Sequence, residues 1–350
     1  MNWIQKLAHF LPLCTYPSLL LNSTWTFQNR PERHGAAYPW NECPGFLDIV
    51  KKDTRYADTA SKFSCEDRPY RRARLHSDGC SLLPLEVSLK ALSLFQGQGL
   101  QGQGPVGPST VYVGDSLFTQ LYMSATCHLE YTQYGQRSPL LLVHDLFLRN
   151  DIPCDARCET NQTFLLQDVF IHPCWACRNG VRRHFSDFDT DADSWHNRLP
   201  ANVTSLIIGA GAWYNSFQGL LNSSSTYEEM LLRVGPLLGR LRERDIEVFW
   251  VGLPPSTPST SSRLGGDLYD WRLFRDKDSM AERLLTPHGV TFIDVAVLTA
   301  ARKAVDPSVS ADGLHWCGPG SHSVPTFINQ VIFHTLVMRK MEATRQGQQA

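Results

Sequence analysis

Ser116 stands in the run Val111-Tyr112-Val113-Gly114-Asp115-Ser116-Leu117, after a short β-branched stretch that ends in glycine. A serine hydroxyl attacks an acyl carbon only when a base takes its proton. Where a strand turns into a helix, backbone N–H groups point outward and favour negative charge nearby. Ser116 could therefore both attack and offer its own N–H to the oxyanion. An ordinary helix cap would explain Gly-Asp-Ser equally, because Ser and Asp both cap helices. The second run is Asp312-Gly313-Leu314-His315-Trp316-Cys317. A carboxylate three residues before a histidine can hold one ring nitrogen and leave the other free as a base. An unrelated Asp and His in a loop would look the same. The two runs together, in this order, predict a triad of Ser116, His315 and Asp312 for acyl chemistry.

Such a triad needs elements to carry it. Residues 110–114 read as a strand and residues 116–128 have helical spacing. Apolar runs of strand length follow at 139–144, at 205–208 after Val203-Thr204, at 246–251 and at 290–295. Residues 226–244 are predicted to be a helix, with apolar positions 227, 230, 231, 234, 237, 238 and 241 on one face. Thr226 and Glu229 form a capping box at its start, Arg240, Arg242 and Arg244 suit its C-terminal end, and Gly235-Pro236 should kink it. Residues 325–341 make a closing helix. Strands alternating with helices predict an α/β sandwich whose mostly parallel sheet is covered on both faces, with the site beyond the carboxyl ends of the strands.

The chain is long enough for one large domain or two small ones, and its net charge of -1 steers it to neither nucleic acid nor an anionic membrane. Arg68, Arg71, Arg72 and Arg74 make a locally basic cluster, readable as a solvated loop or as a surface for an acidic sugar or an acyl-donor phosphate. Ten cysteines and the sequons at Asn22, Asn161, Asn202 and Asn222 favour an oxidising, glycosylating compartment. Residues 1–21 are apolar but interrupted by Lys6, His9, Pro12 and Pro17, and could be a signal or anchor segment. Residues 22–95 read as a Cys-rich, disulfide-stapled lobe without a regular layer. Residues 96–108 carry five glycines and two prolines and read as a flexible insert. Residues 109–343 are the expected catalytic domain, and 344–350 a tail.

The two runs and their order resemble the SGNH/GDSL hydrolases. More closely, over about residues 24 to 340, the chain resembles the PC-esterase group, in particular the trichome-birefringence-like polysaccharide O-acetyltransferases. Trp25, Cys43-Pro44, Cys65, Arg68-Pro69 and Gly79-Cys80 follow that group's N-terminal pattern. Residues 113–117 match its nucleophile block. Asp312, His315, Trp316, Cys317 and Pro319 match its histidine block, and Gly211-Ala212-Trp213 is similar to its Gly-His-Trp block. There are departures. Phe118-Thr119-Gln120-Leu121-Tyr122 replaces an Arg-Asn turn and is closer to the sialate O-acetyltransferase-like branch. Gly313 stands where the group has cysteine. Trp213 takes the place of the oxyanion Asn of SGNH enzymes, and Asn215 lies two residues on.

The resemblance implies an SGNH-like three-layer fold and transfer of an acetyl group to a polysaccharide or glycan hydroxyl through acyl-Ser116. The donor would be acetyl-CoA or another acetyl ester, with no bound cofactor or metal, in the Golgi lumen or another part of the secretory pathway, or after secretion. Ser116, Gly211 and Asn215 are the candidate oxyanion donors, and Asp115, Trp213 and Trp316 the candidate substrate-binding residues. Implied disulfides are Cys43 with Cys127, Cys65 with Cys317, and Cys14 with Cys80. Cys154, Cys158, Cys174 and Cys177 are left for two local disulfides or, with His172 nearby, a zinc site. Trp195, Trp213, Tyr214 and Trp316 could stack on sugar rings or sit in the core, whereas His34, His144 and His184 are expected to be structural. An O-acyl esterase using the same triad, and a non-catalytic glycan-binding module, are the rival readings.

Overall fold

A computed structural model describes residues 13–16, 23–27, 73–77, 80–85, 87–89, 91–92, 109–114, 117–118, 120–122, 124–125, 196, 199, 203–212, 214, 223–255, 271–299, 316 and 323–349. These fall into two compact units. One holds the described residues at 109–118 and 196–296. The other holds those before 107, those at 120–125 and those from 297 onward.

The first unit is built on a parallel sheet. Its strands are β3 (Ser109–Val113), β4 (Val203–Ile208), β5 (Glu247–Val251) and β6 (Thr291–Ile293), side by side in chain order. Val111, Val113, Leu206, Ile207, Ile208, Val248 and Phe249 have no exposed surface. Neighbouring residues along a strand point to opposite faces, so such unbroken burial means both faces of the sheet are covered. The helix α1 (Ser223–Glu243) links β4 to β5, and α2 (Phe274–Leu285) links β5 to β6. The two helices pack against each other. Right-handed crossovers between consecutive neighbouring strands require this, because they place both helices on one face.

All seven expected positions of α1 are buried. Its start differs from expectation: the helix begins at Ser223, so Thr226 lies inside it and not at its cap. Pro236 lies inside the helix, which continues past it to Glu243. Gly235 has a packing reason instead, since a Cβ there would lie 2.7 Å from the His288 ring. The fifth expected strand is shorter than its apolar run and spans Thr291–Ile293. The run at 139–144 lies outside the described residues.

The second unit contains the ribbon β1 (Ser23–Phe27) and β2 (Ala73–Ser77), paired antiparallel with Trp25 opposite Leu75. The lobe at 22–95 therefore does contain regular pairing. The long helix α3 (Val324–Gln349) runs through what was expected to be a tail. Its polar side chains bind backbone and hydroxyl groups elsewhere in the unit. Asn329 Nδ2 donates to Leu121 O at 2.7 Å, Gln330 Nε2 to Leu83 O at 2.8 Å, and Thr326 Oγ1 pairs with Ser124 Oγ at 2.6 Å. Buried His334 accepts the Leu83 N–H at Nδ1, so its proton sits on Nε2 and is donated to Cys14 O at 2.7 Å. Burial lowers the pKa of this imidazole, against the opposing bond to Cys14, which keeps it neutral.

Cys14 is fully buried and disulfide-bonded to Cys80, as the resemblance implied. Leu13 also forms a bridge with Ser81. Part of the 1–21 segment is thus covalently tied into this unit. Among the described residues no helix is long and apolar enough to cross a membrane. The bond closes a loop 66 residues long. Cys14→Ser should destabilise the unit by about 2–4 kcal/mol, read as a lowered thermal midpoint under non-reducing conditions. Dithiothreitol should lower the wild-type midpoint at least as far.

Candidate active site

The ends of β3 and β4 meet closely. Gly209 N donates to Val113 O at 3.2 Å, and the Phe118 ring, from the helical turn after β3, packs against both Gly114 and Gly209. A Cβ on Gly209 would also lie 2.6 Å from Val251 O, and one on Gly114 2.8 Å from Gly209 O. Only glycine fits where backbones and a ring approach this closely. Val113 and Gly114 therefore lie at the carboxyl edge of the sheet, where the loop after β4 also begins.

The described residues of that loop, 209–212 and 214, are buried, and their backbone groups need partners. A turn is closed there, with Tyr214 N donating to Gly211 O at 3.2 Å. Gly211 has φ +144°, a region L-residues avoid, and a Cβ there would lie 2.9 Å from Leu253. Tyr227 of α1 donates its hydroxyl to Ala210 O at 3.0 Å, and its ring meets Tyr214 edge-on at 5.2 Å. Lys277 of α2, only 1% exposed, donates Nζ to Gly211 O at 3.1 Å and to Tyr214 O at 2.5 Å. The side chains of two helices thus hold the carbonyls of Ala210, Gly211 and Tyr214.

The next residue, Asp278, serves the end of β5. Its Oδ1 accepts Leu253 N–H at 2.9 Å, while Oδ2 has no partner among the described residues. Burial pushes this carboxyl up to about 8, and the Leu253 N–H opposes the shift only partly. Asp278 is therefore mostly a neutral acid at pH 7. Outside it, Arg275 pairs with Asp294 at 3.0 Å.

In the other unit, the Gln120 side chain makes two bonds to one backbone residue. Trp316 N donates to Gln120 Oε1 at 3.1 Å, and Gln120 Nε2 donates to Trp316 O at 2.5 Å. Gln120 follows Ser116 by four residues in the sequence, and Trp316 follows His315 directly. A reciprocal amide pair fixes both groups as a strand partner would, and both are buried.

Ser116, Asp312, His315, Asp115, Trp213 and Asn215 lie outside the described residues, as do Trp195, Cys43, Cys127, Cys65, Cys317, Cys154, Cys158, Cys174 and Cys177. Gly211 is described, in the turn held by Lys277. Tyr214 and Trp316 are 0% and 3% exposed, so neither ring offers a face to a sugar, and both are core side chains. Among the described residues no group of His, Cys, Asp and Glu could hold a metal. Sequence reading missed Lys277 and Asp278, and it named Gln120 only within the 118–122 stretch, without its bond to residue 316. The first two did leave a trace, because they occupy apolar slots in the helical stripe of Phe274, Ala281 and Leu285. Neither protein-family models nor curated proteins gave a match to this chain.

The shift of Asp278 predicts a pH dependence. Its folded pKa is raised above the usual 3.8. Between about pH 4 and 8 the native state keeps a proton that the unfolded chain has released. The stabilisation is complete below pH 4 and is lost as pH rises through about 8, with a slope of up to ~1.4 kcal/mol per unit. Asp278→Asn keeps the oxygen for Leu253 and cannot titrate. In paired denaturation curves from pH 5 to 9, its stability relative to wild type should rise with pH and level off above about 8.

Proposed function

We propose that the chain is a serine-dependent O-acyltransferase of the SGNH type. It would carry an acetyl group from acetyl-CoA or another acetyl ester to a hydroxyl of a polysaccharide or glycan. Ser116 is the nucleophile, His315 the base and Asp312 its orienting carboxylate, within an SGNH-like three-layer sandwich. The observation that carries this reading is the Gln120–Trp316 amide pair. It joins the chain just after the nucleophile block to the chain just after the histidine, across 196 residues of sequence. The glycine-lined carboxyl edge of β3 and β4 gives the same reading independent support, because α/β sheets bind ligands there.

In the first step Ser116 Oγ attacks the acetyl carbonyl as His315 takes its proton. The tetrahedral oxyanion is met by backbone donors at Ser116 and in the Gly211 loop. The bond to the donor breaks, and the leaving thiol or alcohol departs with the proton from His315. In the second step His315 takes the proton of a sugar hydroxyl, whose oxygen attacks the acetyl-serine. Ser116 leaves and regains the proton. The Cys14–Cys80 disulfide supports placement in the secretory pathway or outside the cell.

Incubation of the purified chain with an acetyl-ester donor, followed by peptide mass spectrometry, tests the reading. Acetyl is expected on Ser116 of the wild type and absent in Ser116→Ala. Added xylan or sialoglycan should receive the label. Loss of the label to water alone would make the chain an O-acyl esterase. No label from folded protein, together with retained glycan binding, would make it a glycan-binding module.

A further inference from the structure

Lys277 has no role in the proposed triad, yet it is buried at the carboxyl edge of the sheet. A buried ammonium needs several acceptors, since its desolvation is costly. Here two of them are backbone carbonyls of one turn, Gly211 O and Tyr214 O, with the Phe274 ring 5.6 Å from Nζ. The same turn holds the positive-φ glycine and is closed by Tyr214 N–H on Gly211 O. Gly211 O therefore accepts two bonds, one from the turn and one from Lys277. Removing the ammonium would release both ends of the turn together.

We infer that Lys277 is a positioning residue for acyl transfer: its ammonium clamps the 211–214 turn so that backbone donors there meet the oxyanion in a fixed geometry. This rests on the reading of Ser116 as nucleophile and of the Gly211 loop as its oxyanion site. Because planar peptide units couple each carbonyl to the following N–H, Lys277 on Gly211 O fixes the Ala212 N–H, beside the Gly211 N–H that Tyr227 fixes through Ala210 O. Preorganised donors lower the barrier without tightening ground-state binding. The loss of Lys277 should thus appear in kcat and leave KM nearly alone.

The experiment compares acetyl-ester hydrolysis by the wild type, Ser116→Ala, Lys277→Met and Lys277→Gln, each checked for folding by circular dichroism. Lys277→Met keeps the chain length and removes every donor. It should lower kcat by roughly 10²-fold, the scale of losing one oxyanion donor, with KM within about threefold. Lys277→Gln can still hold one carbonyl and should fall between Lys277→Met and the wild type. If Lys277→Met does not fold, Lys277→Gln carries the test. A folded Lys277 variant with wild-type kcat would overturn the inference while Ser116→Ala, being inactive, upheld the nucleophile. So would a variant that changed KM alone. If Ser116→Ala kept wild-type activity, the underlying reading would fail and the inference with it.

Discussion

Backbone carbonyls beyond the end of a buried parallel strand lose their ladder partners and have no water to replace them. The carboxyl edge of this sheet is organised around that constraint. The loop after β4 is buried, so α1 sends Tyr227 to Ala210 O and α2 sends Lys277 to Gly211 O and Tyr214 O. The end of β5 is treated alike, with Asp278 taking the Leu253 N–H. Close approach then dictates glycine at 114, 209 and 211, where a Cβ would strike a ring, a carbonyl or Leu253. Rigidity at this edge follows from satisfying these groups.

The second unit solves a related problem with a helix that is buried along most of its length. Polar positions on α3 would be costly there, and Asn329, Gln330, Thr326 and His334 each bond to a defined group in the unit. These bonds specify which segments lie against the helix, which apolar contacts alone would leave less defined. The disulfide closes the same cluster, since His334 bonds to the carbonyl of Cys14 itself.

Much of the sheet could be read from the sequence. The strands at 109–113, 203–208 and 247–251 end in apolar runs, Val111–Val113, Leu206–Ile208 and Val248–Val251, as a strand covered on both faces should. The buried face of α1 followed from its period. The ribbon at 23–27 and 73–77 did not, because its partners are distant in sequence and register is set by pairing. Nor did α2, whose segment FRDKDSMAERLL looks solvated until Lys277 and Asp278 are placed in its apolar stripe. Charges in such slots are legible only once the carbonyls and amides they satisfy are known. Gln120 was hidden for the same reason, since its partner is a backbone residue 196 positions away.

The chemistry proposed for this edge stands or falls on whether Ser116 is an activated nucleophile. The most direct measurement is reaction with a serine-directed phosphonate, followed by peptide mapping, for the wild type beside His315→Ala. The account predicts one adduct, on Ser116, formed at least 10²-fold more slowly when His315 is removed. No adduct on folded wild-type protein, or one formed on Ser116 equally fast without His315, would contradict it.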